Sequence, residues 1–79
     1  MPKGYSKGYR RLLKLIRGRR MELGLSQDQL AARIGQSLPW VQRAEAGKYR
    51  MHVLETVDLL RALKIDLEEA MRFIQGRTR

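Results

Sequence analysis

The sequence has no cysteine and only one histidine, His52. Without cysteine there can be no disulfide and no thiolate metal ligand, a composition typical of a reducing compartment. No apolar run reaches the roughly 20 residues that a membrane-spanning helix needs, and residues 1–9 are too polar for a secretory signal. His52 stands apart from any metal-ligand or nucleophile pattern, and no phosphate-cradling glycine loop occurs. These absences predict a cytoplasmic protein that is not an enzyme and has no metal or cofactor.

Acidic residues are scarce as well. Eight Asp and Glu oppose 17 Lys and Arg, so the 79-residue chain carries a formal net charge of +9. No acid precedes Glu22, whereas the basic residues before it are Lys3, Lys7, Arg10, Arg11, Lys14, Arg17, Arg19 and Arg20. Such a surface favours a nucleic acid, because neutralising phosphates releases condensed counterions. Charge alone leaves two alternatives, a solubilising surface and an acidic membrane.

The remaining pattern predicts one small all-α domain. A chain of 79 residues has room for one core, and no segment alternates apolar and polar residues with the period of a strand. Helical periodicity predicts five helices, and the residues near which they begin are Lys7, Ser26, Ser37, His52 and Asp66. Short connections favour a five-helix orthogonal bundle spanning 7–76, with a flexible basic arm at 1–6 and a short basic tail at 77–79.

Local signals refine these helices. Ser26 and Gln29 have the spacing of a capping box, and Asp66 and Glu69 repeat it. Ser37 marks the start of the third helix, but Pro39 disfavours helical dihedrals at the residue before it, so the sequence leaves a start one residue later open. The expected core stripe of the first helix is Tyr9, Leu12, Leu13, Ile16 and Leu23, with Arg20 on the same side. The expected core stripe of the fourth helix is Val53, Leu54, Val57, Leu60 and Leu63.

The second and third helices carry the functional prediction. Two short helices that cross at Gly35 leave the second one projecting from the surface, where it fits the major groove of DNA. At about 100° per residue, Val41, Ala44 and Glu45 point inward. The residues that point outward are Leu38, Pro39, Gln42, Arg43 and Ala46. We assign base reading to Leu38, Pro39, Gln42 and Arg43. Arg43 suits the guanine O6 and N7 atoms, Gln42 an adenine or a phosphate, and Leu38 a thymine methyl.

The stretch LSQDQLAARIGQSLPWVQRAEAGK, residues 25–48, resembles the phage repressor and Cro-like helix-turn-helix family, also called xenobiotic-response-element-type regulators. The positions shared with that pattern are Leu25, Ser26, Gln27, Leu30, Ala31, Ile34, Gly35, Ser37, Val41, Glu45 and Gly47. The resemblance implies a lambda-repressor-like DNA-binding fold. It also implies a sequence-specific regulator that binds double-stranded DNA, and this regulator is expected to repress transcription. No small-molecule ligand is evident.

The resemblance also implies roles for single residues. Arg20 is expected to form a structural ion pair with Glu45, and both charges would be costly unpaired on apolar stripes. The resemblance assigns phosphate binding to Gln27, Lys48 and Arg50. To these we add Ser37 and Trp40, although Trp40 departs from the family pattern. The expected phosphate-binding residues are therefore Gln27, Ser37, Trp40, Lys48 and Arg50. Trp40 is expected to be half-buried, with its indole N–H within reach of a phosphate. In such proteins the last helix often forms a two-fold interface, which here implies Leu67, Met71, Phe73 and Ile74. The expected assembly is a homodimer on a pseudo-palindromic operator with half-sites roughly 34 Å apart.

Two other functions compete with this one. The chain could be an antitoxin-like subunit, or a phage or plasmid accessory factor, whose main role is holding a protein partner. It could also bind RNA or a ribosome, which suits the charge but not the helix that projects after Gly35. Tyr5 and Tyr9 are expected to brace the N-terminal arm rather than stack on bases, and His52 is expected to be a surface or capping residue.

Overall fold

Five helices joined by short turns account for residues 5–76, the part of the chain that the computed structural model describes. The helices are α1 (Lys7–Glu22), α2 (Gln27–Ile34), α3 (Leu38–Glu45), α4 (Val53–Ala62) and α5 (Leu67–Ile74). No strand occurs within these residues. The predicted all-α class with five helices is therefore confirmed. The predictions for the arm and the tail lie in part outside the described residues, at 1–4 and 77–79.

Polar side chains mark where the helices begin. Ser26 forms the predicted capping box, since its Oγ accepts the Gln29 N–H at 3.0 Å while Gln29 Oε1 accepts the Ser26 N–H at 2.8 Å. Asp66 accepts the Glu69 N–H at 2.7 Å, but the Glu69 side chain turns away to Arg19. His52 caps α4, as expected for a capping residue. These bonds satisfy N–H groups that have no partner inside their own helix.

The structure decides where the third helix starts, which the sequence left open. Ser37 is the cap of α3, and its Oγ accepts the Trp40 N–H at 3.2 Å. The helix begins at Leu38, directly after this cap. Pro39 lies in the first turn, where the N–H that proline lacks would have no helical partner. The serine cap therefore outweighs the bias that proline imposes on the residue before it.

The core lies where the helices cross, and its largest fully buried side chains are Ile16, Leu30, Val41, Leu59 and Leu63. Burial of these apolar side chains is the main favourable contribution to folding in a domain of this size. Arg20 is the one charged residue that is buried among the described residues. Its burial indicates a partner on a neighbouring helix.

The predicted core stripe of the fourth helix requires a correction. Val53 is 76% exposed and Leu54 is 72% exposed, whereas Leu59, which the pattern did not select, is buried. The buried arc of α4 is formed by Leu59, Leu60 and Leu63, and Leu54 lies nearly opposite that arc at about 100° per residue. Leu23 also leaves the predicted stripe of α1, because it caps the end of the helix and is 41% exposed.

Helices α1 and α5 pack closely because Gly8 has no side chain. A Cβ atom at Gly8 would lie 2.9 Å from Ile74 Cγ2. Beside this contact, Arg11 Nη1 donates to the Ile74 carbonyl at 3.1 Å, which satisfies a carbonyl in the last turn of α5. Arg19 Nη1 donates to the Lys64 carbonyl at 3.1 Å, and Arg19 also pairs with Glu69. Two arginines of α1 therefore hold the C-terminal part of the bundle.

Candidate nucleic-acid interface

A glycine turn sets the angle between α2 and α3. Gly35 has φ +69°, a left-handed conformation that side chains disfavour. The Gln36 N–H donates to the Ala31 carbonyl at 2.9 Å, which closes α2 and turns the chain toward the cap at Ser37. The next eight residues form α3, which contacts both α1 and α2. The arrangement is that of a helix-turn-helix.

Helix α3 has one buried face and one exposed face. Val41 and Ala44 are each only 1% exposed and fix the helix to the core. The exposed residues of the opposite face are Pro39, Gln42, Arg43 and Ala46, with Leu38 partly exposed beside them. Among the described residues, neither Gln42 nor Arg43 has a side-chain hydrogen-bond partner. This face therefore presents one cation and one amide whose donors are free for a ligand.

A buried ion pair joins α3 to α1. Arg20 Nε lies 2.7 Å from Glu45 Oε2, and Arg20 Nη2 lies 3.1 Å from Glu45 Oε1. The two side chains are only 11% and 5% exposed, so the bidentate contact is shielded from water. Arg20 Nη1 also donates to the Leu25 carbonyl at 2.9 Å, which ties the pair to the turn before α2.

Gln27 belongs to the same network. Its Nε2 donates to Glu45 Oε1 at 3.0 Å, so the side chain is neither free nor simply solvated. A primary amide carries two N–H donors, of which this contact uses one. Gln27, Gln42 and Arg17 line one cleft between α1, α2 and α3. The cleft places the Gln27 side chain next to the exposed face of α3.

Trp40 and Tyr49 connect α3 to the loop that follows it. Trp40 is half-buried, and its ring centroid lies 5.7 Å from that of Tyr49. The Tyr49 hydroxyl donates to the Glu55 carboxylate, with both oxygens at 2.8 Å. This bond, followed by burial, raises the pKa of Tyr49 above its ordinary value. Burial favours the neutral form of Glu55, but bonds from the His52 N–H and from Tyr49 outweigh it and lower the Glu55 pKa.

Arg50 is exposed, and its guanidinium lies over two aromatic rings. Its guanidinium carbon is 5.2 Å from the Tyr5 centroid and 5.5 Å from the Tyr9 centroid, within the range of cation–π contact. Tyr5 packs edge-on against Tyr9 at 4.8 Å, and the Tyr9 hydroxyl accepts the Met51 N–H at 3.1 Å. These contacts brace the start of the chain against the loop after α3. Lys48, in the same loop, is exposed.

The structure therefore places the predicted base-reading residues on one side of α3 and brings Gln27 beside Gln42, whereas Arg50 contacts Tyr5 and Tyr9 instead. Sequence reasoning missed the partners of several of them, above all the hydroxyl of Tyr49 and the rings beneath Arg50. It also missed Arg17, whose place in the cleft beside Gln42 depends on how α1 crosses α3. The sequence identified Arg17 only as one of the basic residues before Glu22, and no local signal indicated which neighbour it would meet.

Comparison with known proteins agrees with this geometry. Residues 9–73 match the protein family described as "Helix-turn-helix domain". The match covers all five helices except the ends of α1 and α5, and the chain belongs to this family. No curated protein and no solved structure gave a significant match.

Membership of this family, together with an exposed α3, makes the chain a DNA-binding protein of the helix-turn-helix class. The described residues contain no cluster of three or more His, Asp or Glu side chains that could hold a metal ion. Within the same residues, no helix has the length and apolar content needed to cross a membrane.

Proposed function

We propose that this protein is a sequence-specific regulator of transcription of the phage repressor and Cro-like type, acting as a repressor on duplex DNA. The observation that carries the proposal is the exposed face of α3, where Arg43 has no side-chain partner among the described residues. A helix fixed through Val41 and Ala44 presents this face as a rigid surface, and rigid presentation favours direct readout of base edges. Because the partner is duplex DNA, the proposal keeps the cytoplasmic location that the sequence predicts.

In this proposal the residues around α3 divide into two groups. Arg43 and Gln42 contact base edges, with Leu38 and Pro39 forming the apolar part of the same surface. The residues assigned to phosphates are Gln27, Ser37, Trp40, Lys48 and Arg50. Phosphate contacts fix the register of a protein on the duplex, whereas base contacts select the sequence. Gln27 suits its role because its contact with Glu45 leaves one amide N–H and orients the side chain.

The proposed assembly is a homodimer that places two copies of α3 on a pseudo-palindrome. An apolar groove between α4 and α5 supports it, and its lining includes Val53, Val57, Leu67, Met71 and Ile74. Leu67 is 69% exposed and Met71 is 46% exposed, and exposed apolar patches of this kind mark interaction sites. Phe73, the fourth predicted interface residue, packs against the core and does not line this groove.

Selection from a random duplex library tests the proposed function. The protein should enrich one sequence with two-fold symmetry, and footprinting should give half-sites separated by about one helical turn, roughly 34 Å. Equal binding to all sequences would contradict the proposal.

Arg43→Ala gives the matching residue test. Loss of a bidentate contact to guanine should weaken binding to the selected site by about 10- to 100-fold and relax specificity at one position. Arg33→Ala is the control, because Arg33 is an equally exposed arginine on α2. If both variants keep the selected sequence and its affinity, Arg43 does not contact a base.

A further inference from the structure

One face of α1 is basic along most of its length and has no role in the fold. Lys7, Arg10, Lys14 and Arg17 are all exposed. They are spaced three or four residues apart, so at about 100° per residue they occupy one side of the helix, within about 80°. None of them has a side-chain hydrogen bond or salt bridge to another described residue. We call this set the α1 basic stripe.

The other arginines of α1 differ from the stripe because each has partners. Arg11 donates to the Ile74 carbonyl. Arg19 donates to the Lys64 carbonyl and pairs with Glu69. Arg20 pairs with Glu45. The basic residues of this helix therefore separate into three that hold other helices in place and four that face solvent.

Stability does not account for the stripe. Like charges three and four residues apart on a helix repel each other. Positive charge in the first turn also opposes the helix dipole, and α1 carries no acid there, whereas α2, α4 and α5 each do. A surface that served solubility alone would mix the two signs of charge. A stripe of one sign is instead complementary to a polyanion.

The position of the stripe indicates which polyanion. Arg17, at one end of the stripe, lines the cleft that also contains Gln42 of the exposed α3 face. From Arg17 the stripe runs along α1 to Lys7, a distance of roughly 15 Å at 1.5 Å per residue. Each strand of B-DNA presents one phosphate per roughly 3.4 Å of helix axis. The stripe is therefore long enough to meet several successive phosphates.

We propose that the α1 basic stripe binds the sugar–phosphate backbone of the same duplex, immediately outside the bases that α3 contacts. The inference rests on the proposed function, because α3 must occupy the groove for α1 to lie along the flank. Contacts of this kind carry no sequence information. They lengthen the footprint and steepen the dependence of binding on salt.

A double variant and a control of equal charge test this proposal. Lys14→Gln/Arg17→Gln removes two charges from the stripe, and Arg33→Gln/Arg61→Gln removes two exposed charges that line a different cleft, on α2 and α4. Affinity for the selected duplex is measured between 50 and 200 mM KCl by fluorescence anisotropy. Each protein is measured on two forms of this duplex. One form has about ten flanking base pairs on each side of the selected site, and the other lacks these flanks. Circular dichroism checks that all proteins are folded.

The stripe variant should lose about two phosphate contacts, which lowers the slope of log affinity against log salt by about 1.8. Over this fourfold range of salt, the affinity of the stripe variant should therefore fall by a factor about 12 times smaller than the affinity of the unmodified protein does. The control should keep the original slope. Removing the flanks should weaken the unmodified protein and the control strongly, and the stripe variant less, because that variant keeps only Lys7 and Arg10 of the stripe. The preference for one sequence should be the same in all three proteins.

Other results would overturn the inference. An unchanged slope of log affinity against log salt in the stripe variant excludes a specific backbone contact by α1. An equal reduction of this slope in the two double variants excludes it as well. Stripe-dependent binding to phosphatidylserine vesicles, with no change on DNA, would identify a membrane as the partner. If the unmodified protein prefers no sequence, the proposed function fails, yet the slopes on any duplex still decide whether the stripe contacts phosphates.

Discussion

At the scale of single residues, the contact between Arg20 and Glu45 is the one between two shielded charges, and it should be sensitive to substitution. Both side chains are nearly buried and each satisfies the other's charge. Glu45→Gln should lower the free energy of unfolding by about 3 kcal/mol, because it leaves the Arg20 charge buried without a counter-ion. Urea denaturation measures this loss. Arg20→Met/Glu45→Leu should be more stable than the single variant, since replacing both charges with apolar groups removes the desolvation cost. A double variant less stable than Glu45→Gln would contradict this account.

The contact of Tyr49 with Glu55 predicts a dependence of stability on pH. Glu55 has a lowered pKa, so its ionised form is favoured in the folded protein. That stabilisation is present above the ordinary glutamate value near 4.5 and is lost as the pH falls through the lower folded value. The difference in unfolding free energy between the unmodified protein and Glu55→Gln should therefore be larger at neutral pH than near pH 3, as measured by urea denaturation.

Tyr49 should make the free energy of unfolding fall with rising pH in the alkaline range, which is the opposite of the effect of Glu55 in the acidic range. Its pKa is raised, so its contribution is present below the ordinary value of 10 and is lost as the pH rises through the folded value. Tyr49→Phe lacks the ionisable hydroxyl and should not show this alkaline loss. Identical alkaline profiles for Tyr49→Phe and the unmodified protein would mean that the hydroxyl does not stabilise the fold through Glu55.

At the scale of helices, two glycines of α1 should respond oppositely to alanine. Gly18 has open space around the position of a Cβ atom, so Gly18→Ala should raise the unfolding free energy by about 0.5–1 kcal/mol through helix propensity. At Gly8 the same atom would meet Ile74 at 2.9 Å. Gly8→Ala should therefore destabilise the protein by about 1 kcal/mol through overpacking. Equal stabilisation by both substitutions, measured in urea, would show that α5 does not pack tightly on α1.

At the scale of the whole molecule, the groove between α4 and α5 should control assembly. Leu67→Lys introduces a charge where the proposed partner copy would pack. Sedimentation should show a shift from dimer to monomer and weaker binding to a two-half-site duplex. Met21→Lys is the control, because Met21 is an apolar residue of α1 that is 60% exposed and lies outside the groove. Dimers that persist in Leu67→Lys would place the interface elsewhere.

The sequence by itself determined the number of helices, the residues that cap α2 to α5, and which side of α3 is exposed. These features depend on interactions over short stretches of chain. The Ser26 cap and its partner Gln29 are three residues apart, and the inward positions of Val41 and Ala44 follow from the helical period alone. The helix-turn-helix class could be predicted for the same reason, since its pattern is one of caps, turns and buried positions within one contiguous segment.

Only the tertiary structure decided which polar groups meet and which apolar residues stay outside the core. Arg19 reaches Lys64 and Glu69, which lie 45 and 50 residues away, and Arg50 rests on Tyr5 and Tyr9 across most of the chain. Val53 has the spacing of a core residue yet borders an open groove. Helical periodicity states which way a side chain points. The crossing of the helices determines what it meets, because neither the angle nor the neighbour is encoded within one helix.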